Sequence, residues 1–127
     1  MPVRSLTQSL LRWPEPEVVL KAVQQWANDQ AQHCPSLQQV GVYGSYGRGE
    51  AGVGSDLDLL LIDAKAEEPQ SSRYRQWPFE QLPLSCDALV LTPAELDQLL
   101  EASAGEDPAR AAIGRALQQD CRWIWQR

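Results

Sequence analysis

Apolar positions recur along this chain with two different periods, and the switches between them mark out its elements. Pro16 suits the first turn of a helix, and Val19, Ala22, Val23, Trp26 and Ala27 then recur at helical spacing. Lys21, Gln24, Gln25 and Asn28 fall on the opposite face, which predicts an amphipathic helix ending before Pro35. Upstream of it, Leu6, Leu10 and Leu11 suggest loose packing or a short helix. Val40, Val42 and Tyr43 read as a short strand running into Gly44. Leu57–Ile62 is apolar at nearly every position, as a central strand covered on both faces would be. Leu84–Leu91 reads as a third strand. Thr92-Pro93-Ala94-Glu95 is then a capping box with proline at the first helical position, and Leu96, Leu99 and Leu100 form the buried stripe of its helix. Asp107-Pro108 opens a last helix, with Ala112, Ile113, Ala116 and Leu117 expected to face inward. Cys121, Trp123 and Trp125 alternate with Arg122 and Ile124, as in an edge strand. The order is helix, strand, glycine loop, strand, strand, helix, helix, strand: an α/β layer fold.

Length limits this to one domain, residues 1–127, large enough to bury a real core without staples. The hydrophobic fraction of 43% and charged fraction of 22% fit an ordinary globular protein. Cys34, Cys86 and Cys121 are widely spaced and contain no C-x-x-C pair, so they give neither a disulfide framework nor a zinc knuckle. They read as small buried hydrophobes in a reducing compartment. Apolar runs such as Leu59–Ile62 are far too short for a membrane span, and no secretory signal opens the chain. A cytoplasmic protein is expected. The net charge of -6, with 11 basic against 17 acidic residues, argues against a free-standing polynucleotide binder.

The candidate chemistry is concentrated between Gly44 and Asp58. Five glycines fall between Gly44 and Gly54, directly after a predicted strand. A strand that ends in Gly44-Ser45 and turns into a short helix exposes backbone N–H groups able to cradle phosphate, and the Ser45 hydroxyl adds a donor. Asp56 and Asp58, two apart on a strand, project both carboxylates from one face. Paired carboxylates are hard oxygen ligands suited to Mg²⁺. A phosphate cradle beside them is the equipment for metal-assisted attack on a nucleotide phosphate.

Gly44-Ser45, ten residues, then Asp56-x-Asp58 resembles the signature of the nucleotidyltransferase superfamily that includes DNA polymerase β. The fuller strings Gly44-Ser45-Tyr46-Gly47-Arg48-Gly49-Glu50 and Ser55-Asp56-Leu57-Asp58-Leu59 are similar to the minimal nucleotidyltransferases of bacteria and archaea. The resemblance spans roughly residues 16 to 100 and is dense from 40 to 62. It implies the nucleotidyltransferase fold, a small mixed sheet flanked by helices. It also implies a third carboxylate from the next strand, a role matched by Asp87 in Ser85-Cys86-Asp87-Ala88. By that analogy Asp56 and Asp58 would hold two Mg²⁺ ions on an ATP triphosphate, and Asp87 would complete one metal site and help deprotonate the attacking hydroxyl. Gly44 and Ser45 would hold the β- and γ-phosphates, with Arg48 and Ser55 counted among the nucleotide-binding residues. The reaction implied is hydroxyl attack on the α-phosphate with pyrophosphate leaving.

Larger members of the superfamily carry a further domain over the acceptor, whereas only about the last 25 residues follow the core here. The acceptor is therefore expected on a second subunit or another protein. Minimal members are typically paired with a helical HEPN-domain protein, as antitoxin with toxin, and the resemblance implies transfer of AMP to a tyrosine of that partner. Two other readings stay open. One is a non-catalytic module that neutralises its partner by contact. The other is an oligomeric small-molecule nucleotidyltransferase with Trp123 and Trp125 at its interface.

The remaining polar candidates read more plainly. Arg48 can instead pair with Glu50 or the acidic cluster, and His33 suits a helix C-terminus. Residues 64–83 form a long polar stretch punctuated by prolines, with room for a short helix or turn. Within it Arg73, Tyr74, Arg75 and Trp77 either stack a base, touch a partner or pack an irregular loop.

Overall fold

A computed structural model describes residues 13–102 and 105–127; the segment around Leu6, Leu10 and Leu11 lies outside them. Helix α1 (Pro16–His33) begins with proline in its first turn and buries Val19, Val23, Trp26, Ala27 and Ala31. The His33 ring, at its last residue, bonds through Nδ1 to the Asp29 carbonyl at 3.0 Å. Strand β1 (Leu37–Tyr43) leads into the five-residue helix α2 (Gly44–Arg48), and β2 (Leu57–Asp63) follows the glycine loop. The long polar stretch holds a short helix, α3 (Gln70–Arg75), and a 3-10 turn at Phe79–Gln81. The chain then runs through β3 (Cys86–Leu91), α4 (Pro93–Glu101), α5 (Pro108–Asp120) and β4 (Arg122–Gln126). Strand β3 starts two residues later than expected, because Pro83 and the bends after it keep Leu84 and Ser85 out of the ladder.

The four strands form one mixed sheet in the order β3-β2-β1-β4. Strand β1 is antiparallel to both β2 and β4, and β2 is parallel to β3. The apolar run of β2 is explained by two cores. Leu57, Leu59 and Leu61 face α1 together with Val40, Val42, Trp77 and Phe79. Leu60 and Ile62 face α4 and α5 with Leu91, Leu99 and Leu117. A strand covered on both faces has no polar side to present, so alternation disappears.

The capping box of α4 forms as expected. Thr92 Oγ1 accepts from the Glu95 backbone N–H at 3.2 Å, and a Glu95 oxygen accepts from the Thr92 N–H at 2.8 Å. Helix α5 departs from expectation, since its inward stripe is Ala111, Gly114 and Leu117, while Ala112 is exposed and Ile113 is 42% exposed. The reason is a close crossing: a Cβ on Gly114 would lie 2.3 Å from the Leu99 carbonyl oxygen. Volume at the contact, rather than hydropathy, decides which face of α5 turns inward. All three cysteines are free and only half-buried, where full burial was expected.

Helix α3 protects the free edge of β3. Arg73, 2% exposed, donates from Nη1 to the Val90 carbonyl at 2.9 Å, and Tyr74 Oη donates to the Cys86 carbonyl at 3.3 Å. Two outward carbonyls that could template another strand are thus occupied. Arg73 also forms an ion pair with Glu95 at 2.7 Å, tying α3 to the start of α4. Its role is structural, which resolves one of the alternatives left by the sequence. Among the described residues, no helix is long and apolar enough to cross a membrane.

Candidate active site

The antiparallel turn from β1 to β2 and the parallel pairing of β2 with β3 bring three chain segments to one end of the sheet. Tyr43, the last residue of β1, is the register partner of Asp58, and Asp58 is the register partner of Asp87. These residues share the face that carries Leu60 and Ile62, because side chains two apart on a strand point the same way. Asp56 lies just before β2 rather than within it, and is exposed. It is still close enough for its charge to be felt at Asp58. The Asp58 carboxyl is held above the usual carboxylate range, first by burial, then by the charges of Asp87 and Asp56, with Arg48 opposing.

Gly44 sits directly against this carboxylate. Its φ is +65°, in the left-handed region, and a Cβ there would stand 2.5 Å from Asp58 Oδ2. The residue is glycine for two reasons at once: the sharp turn from strand to helix, and the close approach of a carboxylate. Ser45 follows at the start of α2, whose first N–H groups open towards the same end of the sheet. The Ser55 hydroxyl accepts a hydrogen bond from the Gly52 N–H at 2.9 Å, so it shapes the loop before Asp56 and retains its own hydrogen to donate.

Arg48 is already engaged. Its guanidinium bonds Glu50 at 3.0 Å and Asp120 at 3.1 Å, which ties α2 to the end of α5. A phosphate contact by Arg48 requires it to leave one of these partners. Nor do Asp56, Asp58 and Asp87 close into a cage: among the described residues no three His, Cys, Asp or Glu side chains are grouped tightly enough to enclose a metal ion. Mutual repulsion holds such carboxylates apart, and Mg²⁺ needs only one or two of them besides water and phosphate oxygens.

Two residues at this site escape a reading by motif. The Tyr43 phenol is pushed up by burial and then by the charges of Asp58 and Asp87, which places it beside the acidic pair. The Cys86 thiol is raised to about 11 by burial and by the same two carboxylates. Tyr43 had carried a signal, since it immediately precedes Gly44. Its direction was fixed only by the register with β2.

The sequence profile of the nucleotidyltransferase domain matches residues 27–109. The chain belongs to the nucleotidyltransferase domain family. A candidate nucleotidyltransferase from Sulfolobus solfataricus superimposes with a TM-score of 0.61 at 21% identity, over 88% of this chain and 84% of that one. A toxin-antitoxin structure with AMP-PNP superimposes with a TM-score of 0.51 at 16% identity, over 82% and 73% of the two chains. At such identities these two likenesses carry the fold alone. A search of curated protein sequences finds no match.

Proposed function

We propose that the protein transfers a nucleoside monophosphate, AMP from ATP, to the hydroxyl of a tyrosine on a partner protein, a toxin of HEPN type. The observation that carries this reading is the alignment of Asp58 with Asp87 across β2 and β3, with Gly44 pressed against Asp58 at the turn into α2. Phosphate cradle and carboxylates thereby meet at one end of one sheet. The toxin-antitoxin neighbour with AMP-PNP is consistent with both the partner and the nucleotide class.

The residues present fit Mg²⁺. The donors are hard carboxylate oxygens, and Asp58 is disfavoured as an anion first by burial and then by the charges of Asp87 and Asp56, which a bound cation would offset. Asp56 and Asp58 would hold two Mg²⁺ ions and Asp87 would complete one site. Bound Mg²⁺ would supply neutralisation of the triphosphate charge. The N–H groups at Gly44 and Ser45 orient the β- and γ-phosphates, and the Ser45 and Ser55 hydroxyls are placed to add donors. Arg48 contributes once it leaves Glu50. The acceptor oxygen forms a bond to the α-phosphorus, the bond to the pyrophosphate oxygen breaks, and the hydroxyl proton passes to an Asp87 oxygen. The products are the nucleotidylated acceptor and pyrophosphate.

A contact-only module is the second reading, favoured by the engaged state of Arg48 and the open spacing of the carboxylates. ATP labelled at the α-phosphate, with Mg²⁺ and the native lysate, separates the two. Wild type is expected to label a protein band, and Asp56→Ala/Asp58→Ala is expected to label none. Label in small molecules alone would move the acceptor from protein to metabolite. No transfer by the wild type, with both proteins still neutralising a co-purified partner, would establish the contact-only module.

A further inference from the structure

Tyr43 stands at the carboxylate end of the sheet, and the proposed chemistry leaves its hydroxyl without a task. Strand register puts its side chain in one row with two acids: Tyr43 opposes Asp58 on β2, and Asp58 opposes Asp87 on β3. Side chains opposed in this way stand about 5 Å apart at Cβ. The ring is half-buried and packs against the core of Leu60, Ile62 and Leu117. Two residues back on the same face is Gly41, where a Cβ would lie 2.9 Å from the Trp123 ring and 3.1 Å from Cys121 Sγ. Trp123 and Cys121 thus occupy the ground behind the ring, and its open side is the end of the sheet. The phenol is pushed up first by burial, then by the charges of Asp58 and Asp87 ahead of Cys121, and no hydrogen bond to a described residue contributes. The hydroxyl therefore lies in the field of the acidic pair with its donor unspent.

Packing does not account for that hydroxyl, because phenylalanine would cover the same core. What it adds is a hydrogen-bond donor. Ionised carboxylates only accept, and so do phosphate oxygens, so Asp58 and Asp87 have nothing to offer a phosphate except through a cation. The backbone donors of α2 belong to the turn after Gly44, and Arg48 is bound to Glu50 and Asp120. A neutral donor suits this position. Unlike a basic side chain, it leaves the carboxylates their full charge for the metal. We infer that Tyr43 is a nucleotide-binding residue whose phenol donates a hydrogen bond to an oxygen of the phosphate held over Asp58. The inference deepens the transfer reading and rests on it for the presence of a triphosphate at this end of the sheet.

Calorimetry with the magnesium complex of α,β-methylene-ATP, which cannot be cleaved at the transfer bond, tests this without turnover. Tyr43→Phe keeps the ring and removes only the hydroxyl. Its dissociation constant is expected to rise about tenfold or more, as for the loss of one hydrogen bond to a charged group. Mn²⁺ alone, followed by electron paramagnetic resonance, is expected to bind Tyr43→Phe as it binds the wild type. Tyr46→Phe is the control: this phenol sits in the same turn but is buried in the core on the opposite face, and its loss is expected to leave both affinities unchanged. Unchanged nucleotide affinity in Tyr43→Phe, with Asp58→Asn binding much more weakly, overturns the inference and leaves the transfer reading standing. A loss shared equally by Tyr46→Phe, or seen equally with Mn²⁺ alone, overturns it as well, since the hydroxyl would then act on the turn or on the ion. Failure of the wild type to bind the complex, or equal binding by Asp58→Asn, would remove the phosphate site itself and the transfer reading with it.

Discussion

Single residues at the end of the sheet do two jobs, and substitutions can separate them. Gly44→Ala forces a side chain into the left-handed region and against Asp58 Oδ2. The backbone cost is about 1–2 kcal/mol, measurable by denaturant unfolding. Displacement of the carboxylate should lower nucleotide transfer more steeply, by about a hundredfold. Asp58 behaves in the opposite sense. Its carboxyl is raised in the folded protein, so the stabilising effect belongs to the protonated form at low pH and is lost as pH rises through the folded value. At neutral pH the ionised group opposes folding. Asp58→Asn should therefore raise the melting temperature in metal-free buffer while abolishing transfer, and thermal unfolding at pH 7 checks the sign. The thiols of Cys86 and Cys121 are both pushed to about 11, the second by burial alone. Thiolate is then a trace species at pH 8, and alkylation of both should stay slow until the pH passes about 10.

Elements meet here through contacts that propensity does not describe. In an isolated helix Gly114→Ala would favour α5 by about 1 kcal/mol. In the folded chain the new methyl meets the Leu99 carbonyl, and overpacking of this kind costs about 1–3 kcal/mol. A net loss of stability in urea is expected, and a gain would mean that α4 and α5 do not cross so closely. The Arg73 ion pair supports the edge of β3 in a similar way. Arg73→Met leaves the Val90 carbonyl and Glu95 without their donor; because Glu95 keeps partial access to solvent, the expected loss is about 2–3 kcal/mol. Glu95 is lowered chiefly by its bond to Arg73, so its contribution is present above the ordinary glutamate range and lost as pH falls through the folded value. The variant should lose that part of the acid sensitivity, which stability curves at pH 3 to 7 would show.

At the largest scale the described residues form a sheet with a core on each face, and Asp58 and Asp87 are paired at one end of it with Asp56 close by. Mg²⁺ binding to the folded form alone should raise the melting temperature of the wild type in a concentration-dependent way, and do so far less for Asp58→Asn. Equal shifts in both proteins would remove Asp58 from the ion site.

Much of this was legible in the residues. The helical period of α1, the capping box of α4, the doubly apolar β2 and the glycine-rich turn are local signals, and each formed where its pattern lay. The Gly44-Ser45 turn of the candidate site was legible because turn chemistry acts over a few residues, whereas Asp56, expected on the strand with Asp58, lies just before it. Tertiary structure decided what depends on distant partners. The parallel register of β2 with β3 set Asp87 beside Asp58, a pairing of residues 29 apart that no local period encodes. The crossing at Gly114 turned α5, and the ion pairs of Arg48 and Arg73 gave both arginines structural partners. Local sequence fixes which groups are available and how their own segment is shaped. Packing and register, which sum over the whole chain, determine which of those groups meet.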